Sequence, residues 1–92
     1  MMNRGGFIMA VLIESNGSDK QVEPSEGSEF SLKELQGYVD GYIELVYLAN
    51  GKILVVNEEG LLKRLPLNNK ASLLARQPIV GNVVMIEPNQ IS

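Results

Sequence analysis

The sequence predicts one small α+β domain, built from a mostly antiparallel sheet of three to five strands with one or two short helices. Three observations support this class. Short apolar runs recur along the chain between clusters of turn residues, which is typical of strands. One segment carries a helix-capping motif followed by apolar residues at helical spacing. The length of 92 residues and the hydrophobic content of 45% suit a single packed domain.

The N-terminal part predicts a leader, a strand and a polar loop. We interpret residues 1–8 as a flexible leader ahead of a domain over residues 9–87, because they hold a doubled methionine and a Gly-Gly pair. The apolar run at residues 7–13 predicts a buried strand, and it is far shorter than the roughly 20 residues of a membrane-spanning helix. Residues 14–29 hold five acidic residues and one lysine. They predict a mobile acidic loop with at most a short edge strand near residues 21–23.

The segment after this loop predicts a short helix. Ser31 and Glu34 match a capping box, in which the hydroxyl accepts a hydrogen bond from the Glu34 amide and the carboxylate accepts one from the Ser31 amide. We therefore predict a helix over residues 32–39, ended by an Asp-Gly pair. Three apolar residues at helical spacing form a stripe that we expect to pack on the sheet: Leu32, Leu35 and Val39.

A β-hairpin follows the helix. Residues 42–48 predict the clearest strand of the chain, and residues 53–56 predict its partner. Asn50 and Gly51 lie between the two runs and form the strongest short-range hairpin signal. Alternation along the first strand places Glu44 on an otherwise apolar face, where its carboxylate needs solvent, a partner or a ligand.

The remaining segments predict a turn, a strand and a tail. Residues 57–60 predict a turn, and residues 61–65 predict either a third strand or an irregular segment, because Pro66 excludes a central ladder position. Residues 79–86 predict the last strand, interrupted by a Gly-Asn pair, and residues 88–92 a frayed tail.

A second short helix is predicted between Pro66 and the last strand. Either Asn68 or Asn69 caps it, and it runs over residues 70–76 with its two adjacent leucines, at 73 and 74, facing inward. A Gln-Pro pair ends it, because the residue before proline avoids the α region.

The composition argues against several functions. The chain has no cysteine and no histidine, so it lacks thiolate chemistry, the commonest catalytic base and the commonest zinc ligand. We therefore expect a protein that is not an enzyme and holds no cofactor or metal. The net charge of −3 and the lack of an arginine-rich stripe indicate that it does not bind nucleic acid. We also expect a cytoplasmic protein without a membrane segment, and a homo-oligomer, because self-association adds burial to so small a core.

Two acidic features are candidate binding groups. Asn57, Glu58 and Glu59 lie in one predicted turn, where they can hold a cation or accept hydrogen bonds from ribose hydroxyls or a base edge. The alternative is a solvated turn in which the asparagine bonds its own backbone. Glu44 either lines a pocket beside this turn or pairs with a nearby cation. The candidate cations are Lys52, Lys63 and Arg64.

Two further candidates follow in the chain. Arg64 can meet a phosphate near the start of the second helix, or it is an ordinary solvated residue. Asn68 is a ligand amide or, as the default, a helix N-cap. The predicted ligand-binding set is therefore Glu44, Asn57, Glu58, Glu59, Arg64 and Asn68.

Several short motifs together resemble a known family. They are G-Y-I-E at residues 41–44, N-E-E-G at 57–60 and L-P-L-N at 65–68, followed by Gly81. This combination resembles a family of small domains of unknown function that is frequent in bacteriophages, plasmids and other mobile elements. The resemblance covers residues 9–87. It implies an accessory protein acting in the host cytoplasm.

Two functional hypotheses follow from the resemblance and from the lack of catalytic residues. The first is a non-enzymatic binding protein that sequesters a nucleotide-like small molecule to counter host defence. The alternative is an inhibitor that binds a host enzyme through an exposed sheet edge. A hydrolase that uses carboxylates and a metal is a third hypothesis.

Overall fold

The computed structural model describes residues 10–91, which form a five-stranded antiparallel sheet with two α-helices and confirm the predicted α+β class. The elements are β1 (Ala10–Ile13), β2 (Asp19–Val22), α1 (Leu32–Val39), β3 (Ile43–Tyr47), β4 (Ile53–Asn57), α2 (Asn69–Ala75), β5 (Val83–Ile86) and a 3-10 helix (Pro88–Gln90). The strand order across the sheet is β2-β1-β5-β4-β3. The predicted leader and the first part of the predicted strand at residues 7–13 lie outside the described residues.

The Asn-Gly turn and the start of the acidic loop each join two antiparallel strands that are neighbours in the sheet. The Asn-Gly turn joins β3 to β4, with Gly51 at a φ of 88° that favours glycine. The start of the acidic loop joins β1 to β2, and β2 is an edge strand whose one neighbour within residues 10–91 is β1. The stretch at residues 14–29 is therefore not a loop throughout, because four of its residues continue the sheet.

The helix α1 has the predicted bounds and the predicted cap. The Ser31 hydroxyl accepts from the Glu34 amide at 3.1 Å, and the Glu34 carboxylate accepts from the Ser31 amide at 2.9 Å. Leu35 is buried as predicted, but Leu32 is 55% exposed, so its predicted inward position is wrong. Phe30 fills that part of the core instead. It precedes the cap and shares a buried cluster with Leu35, as in a hydrophobic staple.

The two faces of the sheet carry separate apolar clusters. The face toward α1 is covered by that helix, and its buried members are Ala10, Leu12, Phe30, Leu35, Val39, Ile53, Val55, Val84 and Ile86. The other face carries a second cluster: Ile13, Leu48, Leu54, Val56, Ala71, Ile79 and Val83. The sheet therefore lies between two buried apolar clusters, and the cluster on the α1 side is the larger.

The helix α2 packs differently from the prediction. Ala71 is its buried residue, whereas Leu73 is 81% exposed and Leu74 is 40% exposed, so the predicted inward leucines are wrong. Asn68 caps the first turn and holds it against the sheet, which places Ala71 inward. Leu73 lies about 200° further around the helix and faces away.

The segments before and after α2 are predicted as a turn, an irregular segment or strand, and a last strand. Residues 61–64 form turns, so the irregular alternative is the one observed. The last strand begins at Val83 and not at residue 79 as predicted, because the predicted interruption at Gly81, with a φ of 79°, separates residues 79–80 from it. Leu67 and Val80 form an isolated antiparallel bridge outside the main sheet.

Residues 88–91 of the C-terminal segment contact the core. The amide of Phe30 donates to the carbonyl oxygen of Gln90 at 2.6 Å, and Phe30 forms a parallel bridge with Ile91. Ile91 packs against the α1-side cluster. The sequence alone gives no sign of this contact because its partner lies about sixty residues away in the chain.

No helix within residues 10–91 is long and apolar enough to cross a membrane. The helix α1 has eight residues. It is therefore about 12 Å long, whereas the hydrocarbon core of a bilayer is about 30 Å thick.

Candidate functional site

Asn57 is a structural residue at the end of β4. Its side chain is buried, and its Nδ2 donates to the carbonyl oxygens of Val39 at 3.0 Å and Asp40 at 3.2 Å. Its Oδ1 accepts from the amide of Glu59 at 2.8 Å. The amide group thus fastens the end of α1 to the start of the turn. Both of its donor hydrogens are used by the main chain.

This fastening demands a close approach at Gly41. A Cβ placed on Gly41 would lie 2.7 Å from the Asn57 Nδ2 atom and 3.0 Å from the Lys63 Nζ atom. The residue must therefore be glycine for the asparagine to reach the end of α1. Residues 41–44 and the turn at residues 57–60 are thus joined in space.

Asn68 is the N-cap of α2 and is also structural. Its Oδ1 accepts from the Ala71 amide at 3.1 Å, and its Nδ2 donates to the carbonyl oxygens of Ile13 at 3.0 Å and Gly81 at 2.8 Å. It is only 1% exposed. The default N-cap interpretation is therefore the observed one, and the contacts to Ile13 and Gly81 place it on the β1 and β5 side of the sheet.

Glu58, Glu59 and Arg64 present free side chains on a well-held turn. All three are exposed, and the side chain of none of them takes part in an ion pair or hydrogen bond among residues 10–91. The turn is closed by main-chain bonds, including Lys63 N to Glu59 O at 2.9 Å. Arg64 has a φ of 56°, a left-handed conformation that is uncommon for a residue with a Cβ.

The sheet register brings Glu44 to the same corner as this turn. Glu44 lies opposite Val56, and the amide of Glu58 donates to the carbonyl oxygen of Tyr42 at 2.8 Å, which extends the β3–β4 pairing by one residue on each strand. Residues opposite each other in an antiparallel pair share a face. Tyr42, Glu44 and Glu58 therefore project from one face, and Glu59 follows directly. We call these four residues the acidic corner.

The predicted ion pair of Glu44 is not observed. Lys52 pairs with Glu87 at 3.3 Å, and the Nζ of Lys63 lies 3.5 Å from the carbonyl oxygen of Asp40. In the described part of the chain no cation pairs with Glu44. The structure thus brings three of the six predicted residues, Glu44, Glu58 and Glu59, to one corner. Arg64 lies at the other end of the same turn, and the two asparagines hold the fold.

The corner can bind a ligand with both polar donors and a ring. The carboxylates accept hydrogen bonds from hydroxyl or amino groups. Tyr42 is 65% exposed and can stack on a planar ring. Tyr42 is not among the residues predicted from the sequence; the available signal was an aromatic residue two positions from Glu44, which alternation places on the same face of the strand.

A second acidic region lies around the start of α1. A shallow depression of about 500 Å³ is lined by Ser25, Glu26, Gly27, Ser28, Glu29, Ser31 and Glu34. Hydrogen bonds from the amides of Ser31 and then Ser25 lower the pKa of Glu34, so its carboxylate is already engaged by the backbone. No group of three metal-ligating side chains occurs among residues 10–91.

The free edge of β3 presents unpaired main-chain groups. The bonds Leu48 N to Lys52 O and Glu58 N to Tyr42 O show that the main-chain N–H and C=O groups of the even-numbered residues in this strand point toward β4. By alternation, the N–H and C=O groups of Ile43, Leu45 and Tyr47 point away from the sheet. β3 has no second neighbour in the part of the chain that the structure describes.

Comparisons with known proteins identify a family and no function. The profile of a domain of unknown function, DUF3846, matches residues 8–91. No curated protein and no solved structure matches the chain. The matched range includes β3, the turn after β4 and every residue of the acidic corner.

Proposed function

The chain belongs to the DUF3846 family of domains of unknown function, and we propose that it is a non-enzymatic module that sequesters a nucleotide-like small molecule at the acidic corner. The observation that carries this proposal is a group of charged side chains that have no partner among residues 10–91, beside and on a turn that Asn57 holds in place. Exposed polar groups on a rigid scaffold are typical of binding sites.

The charges of the site define how such a ligand would lie. Glu44, Glu58 and Glu59 suit the hydroxyl and amino groups of a nucleoside, and Tyr42 suits its base. A phosphate would be repelled there and would instead lie toward Arg64. We therefore propose a ligand with a nucleoside part and a phosphate part at opposite ends of the turn.

The proposed setting is an accessory protein of a phage or another mobile element, acting in the host cytoplasm against a defence signal. Its support is the resemblance carried by the motifs at residues 41–44, 57–60 and 65–68. Binding without turnover agrees with a chain that has neither histidine nor cysteine.

The test is the melting temperature of the purified protein against linear, cyclic and ADP-ribose-type nucleotides. A ligand at 100 times its Kd stabilises the fold by about 2.7 kcal/mol, which raises the melting temperature by several degrees. The variant with Glu58→Gln and Glu59→Gln should lose this shift. A matched variant with Glu23→Gln and Glu26→Gln removes the same charge from another exposed segment and should keep it.

Three outcomes would contradict parts of the proposal. Unchanged affinity in the Glu58 and Glu59 variant would exclude the acidic corner as the site. No shift with any nucleotide would exclude this ligand class. Recovery of a chemically altered ligand after denaturation, measured by mass spectrometry, would show turnover and replace sequestration by catalysis.

A second candidate function is inhibition of a host protein through the β3 edge. The outward N–H and C=O groups of this edge favour it, because an extended segment of a partner can pair with them. Tyr47→Pro removes one outward N–H without breaking the bonds to β4. One stoichiometric host protein captured by the wild type and lost with Tyr47→Pro would support this function; a partner retained by the variant would exclude this edge.

A further inference from the structure

The two edges of the sheet are built differently. β2 carries Asp19 and Lys20, and three of its four residues are exposed, which is how natural sheets discourage pairing with other chains. β3 reads I-E-L-V-Y, with Glu44 as its one charge. Tyr47 on this edge is 74% exposed. Only β2 therefore has a charged edge that protects it against strand addition.

We propose that β3 pairs with β3 of a second copy of this chain, antiparallel about a two-fold axis at Leu45. The pairing joins two five-stranded sheets into one continuous sheet. Ile43 of each copy lies opposite Tyr47 of the other, and Leu45 lies opposite Leu45. All six outward N–H and C=O groups on each copy's edge then bond across the axis.

The single charge of the strand selects this register. An axis at Glu44 would place two carboxylates directly opposite each other, which is destabilising. An axis at Val46 would place Ile43 opposite Ala49, which lies in the hairpin turn outside the strand. The axis at Leu45 places Glu44 opposite Val46 and uses the whole of β3.

A second copy fits this edge better than an arbitrary strand does. The edge is self-complementary, because its three outward residues are spaced symmetrically around Leu45. A pairing of β3 with the polar β2 edge of another copy would be head-to-tail and would not close. The two-fold pairing also shields Tyr47 and adds burial to a domain of 92 residues.

The dimer also changes the surroundings of the acidic corner. Val46 and Leu48 of the second copy lie beside Glu44 and Tyr42 on the same face, so each corner gains an apolar wall from its neighbour. This consequence rests on the proposed function, whereas the dimer itself does not.

The first test is amide hydrogen exchange by NMR at low and high protein concentration, alongside sedimentation. The amides of Ile43, Leu45 and Tyr47 should exchange fast when dilute and become protected in the dimer. The amides of Glu44 and Val46 face β4 and should be protected at both concentrations. A folded protein that sediments as a monomer at every concentration would overturn the proposal, and so would a dimer in which the three outward amides stay fast.

The second test compares a positive and a negative charge at position 46, because Val46 lies opposite Glu44 of the second copy. Val46→Lys and Val46→Glu lose the same packing, but only the glutamate faces a like charge twice per dimer. We expect Val46→Glu to dimerise about tenfold more weakly than Val46→Lys. This difference should disappear when Glu44→Gln is added.

Equal dimerisation of the two Val46 variants would exclude the Leu45 register. If the outward amides became protected only on addition of a host protein, the occupant would be a foreign strand and the second copy would be excluded. Neither test uses a nucleotide, so their failure is distinguishable from failure of the proposed function.

Discussion

Glu34 joins the start of α1 to the loop before it. Its two carboxylate oxygens accept from the amides of Ser31 at 2.9 Å and Ser25 at 2.8 Å. These bonds favour the charged form, and the Ser31 amide is the larger cause of the lowered pKa. The capping box read from the sequence therefore also holds part of the acidic loop, through a bond that the four-residue motif does not contain.

This arrangement predicts a pH dependence of stability that belongs to Glu34. Because its pKa is lower in the folded than in the unfolded protein, its contribution is present above the usual value of 4.5 and is lost as the pH falls through the lowered one. Urea unfolding of the wild type should show a steeper loss of stability in this acidic range than unfolding of Glu34→Gln. Parallel pH profiles of the two proteins would contradict the assignment, and Glu26→Gln, which leaves the helix cap intact, is the matched control.

Asn57 and Asn68 have the same structural role in two parts of the fold. Each follows an apolar or turn segment in the sequence, and each is a plausible ligand amide on that evidence. In the fold each donates to two carbonyl oxygens from distant segments and accepts from a nearby amide. Burying an amide is favourable only when its groups are bonded in this way, so these side chains stabilise the fold.

The two helices differ as elements because only α1 has an apolar face that fits the sheet. Leu35 and Val39 of α1 are buried in the larger cluster, and α1 contacts β3, β4 and β5. In α2 the buried residue is Ala71, and its leucines face outward. The helix α2 is therefore held mainly by hydrogen bonds, those of Asn68 and those between the Ser72 hydroxyl and the main chain of Ile79. Its ion pair between Lys70 and Asp19 at 2.9 Å is exposed and contributes little.

This difference predicts unequal effects of one substitution in the two helices. Leu35→Ala removes a fully buried side chain and should lower the free energy of unfolding by about 2–5 kcal/mol. Leu73→Ala changes an exposed position and should change it by less than about 0.5 kcal/mol. Urea unfolding of both variants checks the prediction. A large loss in Leu73→Ala would show that this leucine is covered in solution, for instance by another copy of the chain.

The whole molecule is closed by contacts between parts that are distant in sequence. The loop before α1 meets the C-terminal 3-10 helix through Phe30 and residues 90–91, so the last strand does not end the fold. The sheet order also places β1 between β2 and β5, next to the last strand of the chain. Burial of both sheet faces depends on these long-range contacts.

Removal of residues 88–92 should therefore destabilise the protein. The truncation deletes the Gln90 carbonyl that accepts from the Phe30 amide and the Ile91 side chain that packs on the core. We expect a loss of about 2 kcal/mol or more in the free energy of unfolding. Asn89→Ala, at an exposed position of the same segment, is the control and should be close to neutral. Equal stability of the truncated and full-length chains would show that the tail contributes nothing in solution.

The sequence by itself determined the local elements, because their causes lie within a few residues. The capping box defined α1, the Asn-Gly pair defined the β3–β4 hairpin, and the Gly-Asn pair at residues 81–82 marked a break in the last apolar run. Only the tertiary structure decided the strand order, the inward residue of α2, the docking of the tail and the division of the six predicted site residues. Each of these depends on partners far along the chain, such as the Ile13 carbonyl for Asn68 and the Val39 carbonyl for Asn57. Local patterns show which groups can form hydrogen bonds or pack, but the partners that they meet are set by the pairing of the whole sheet.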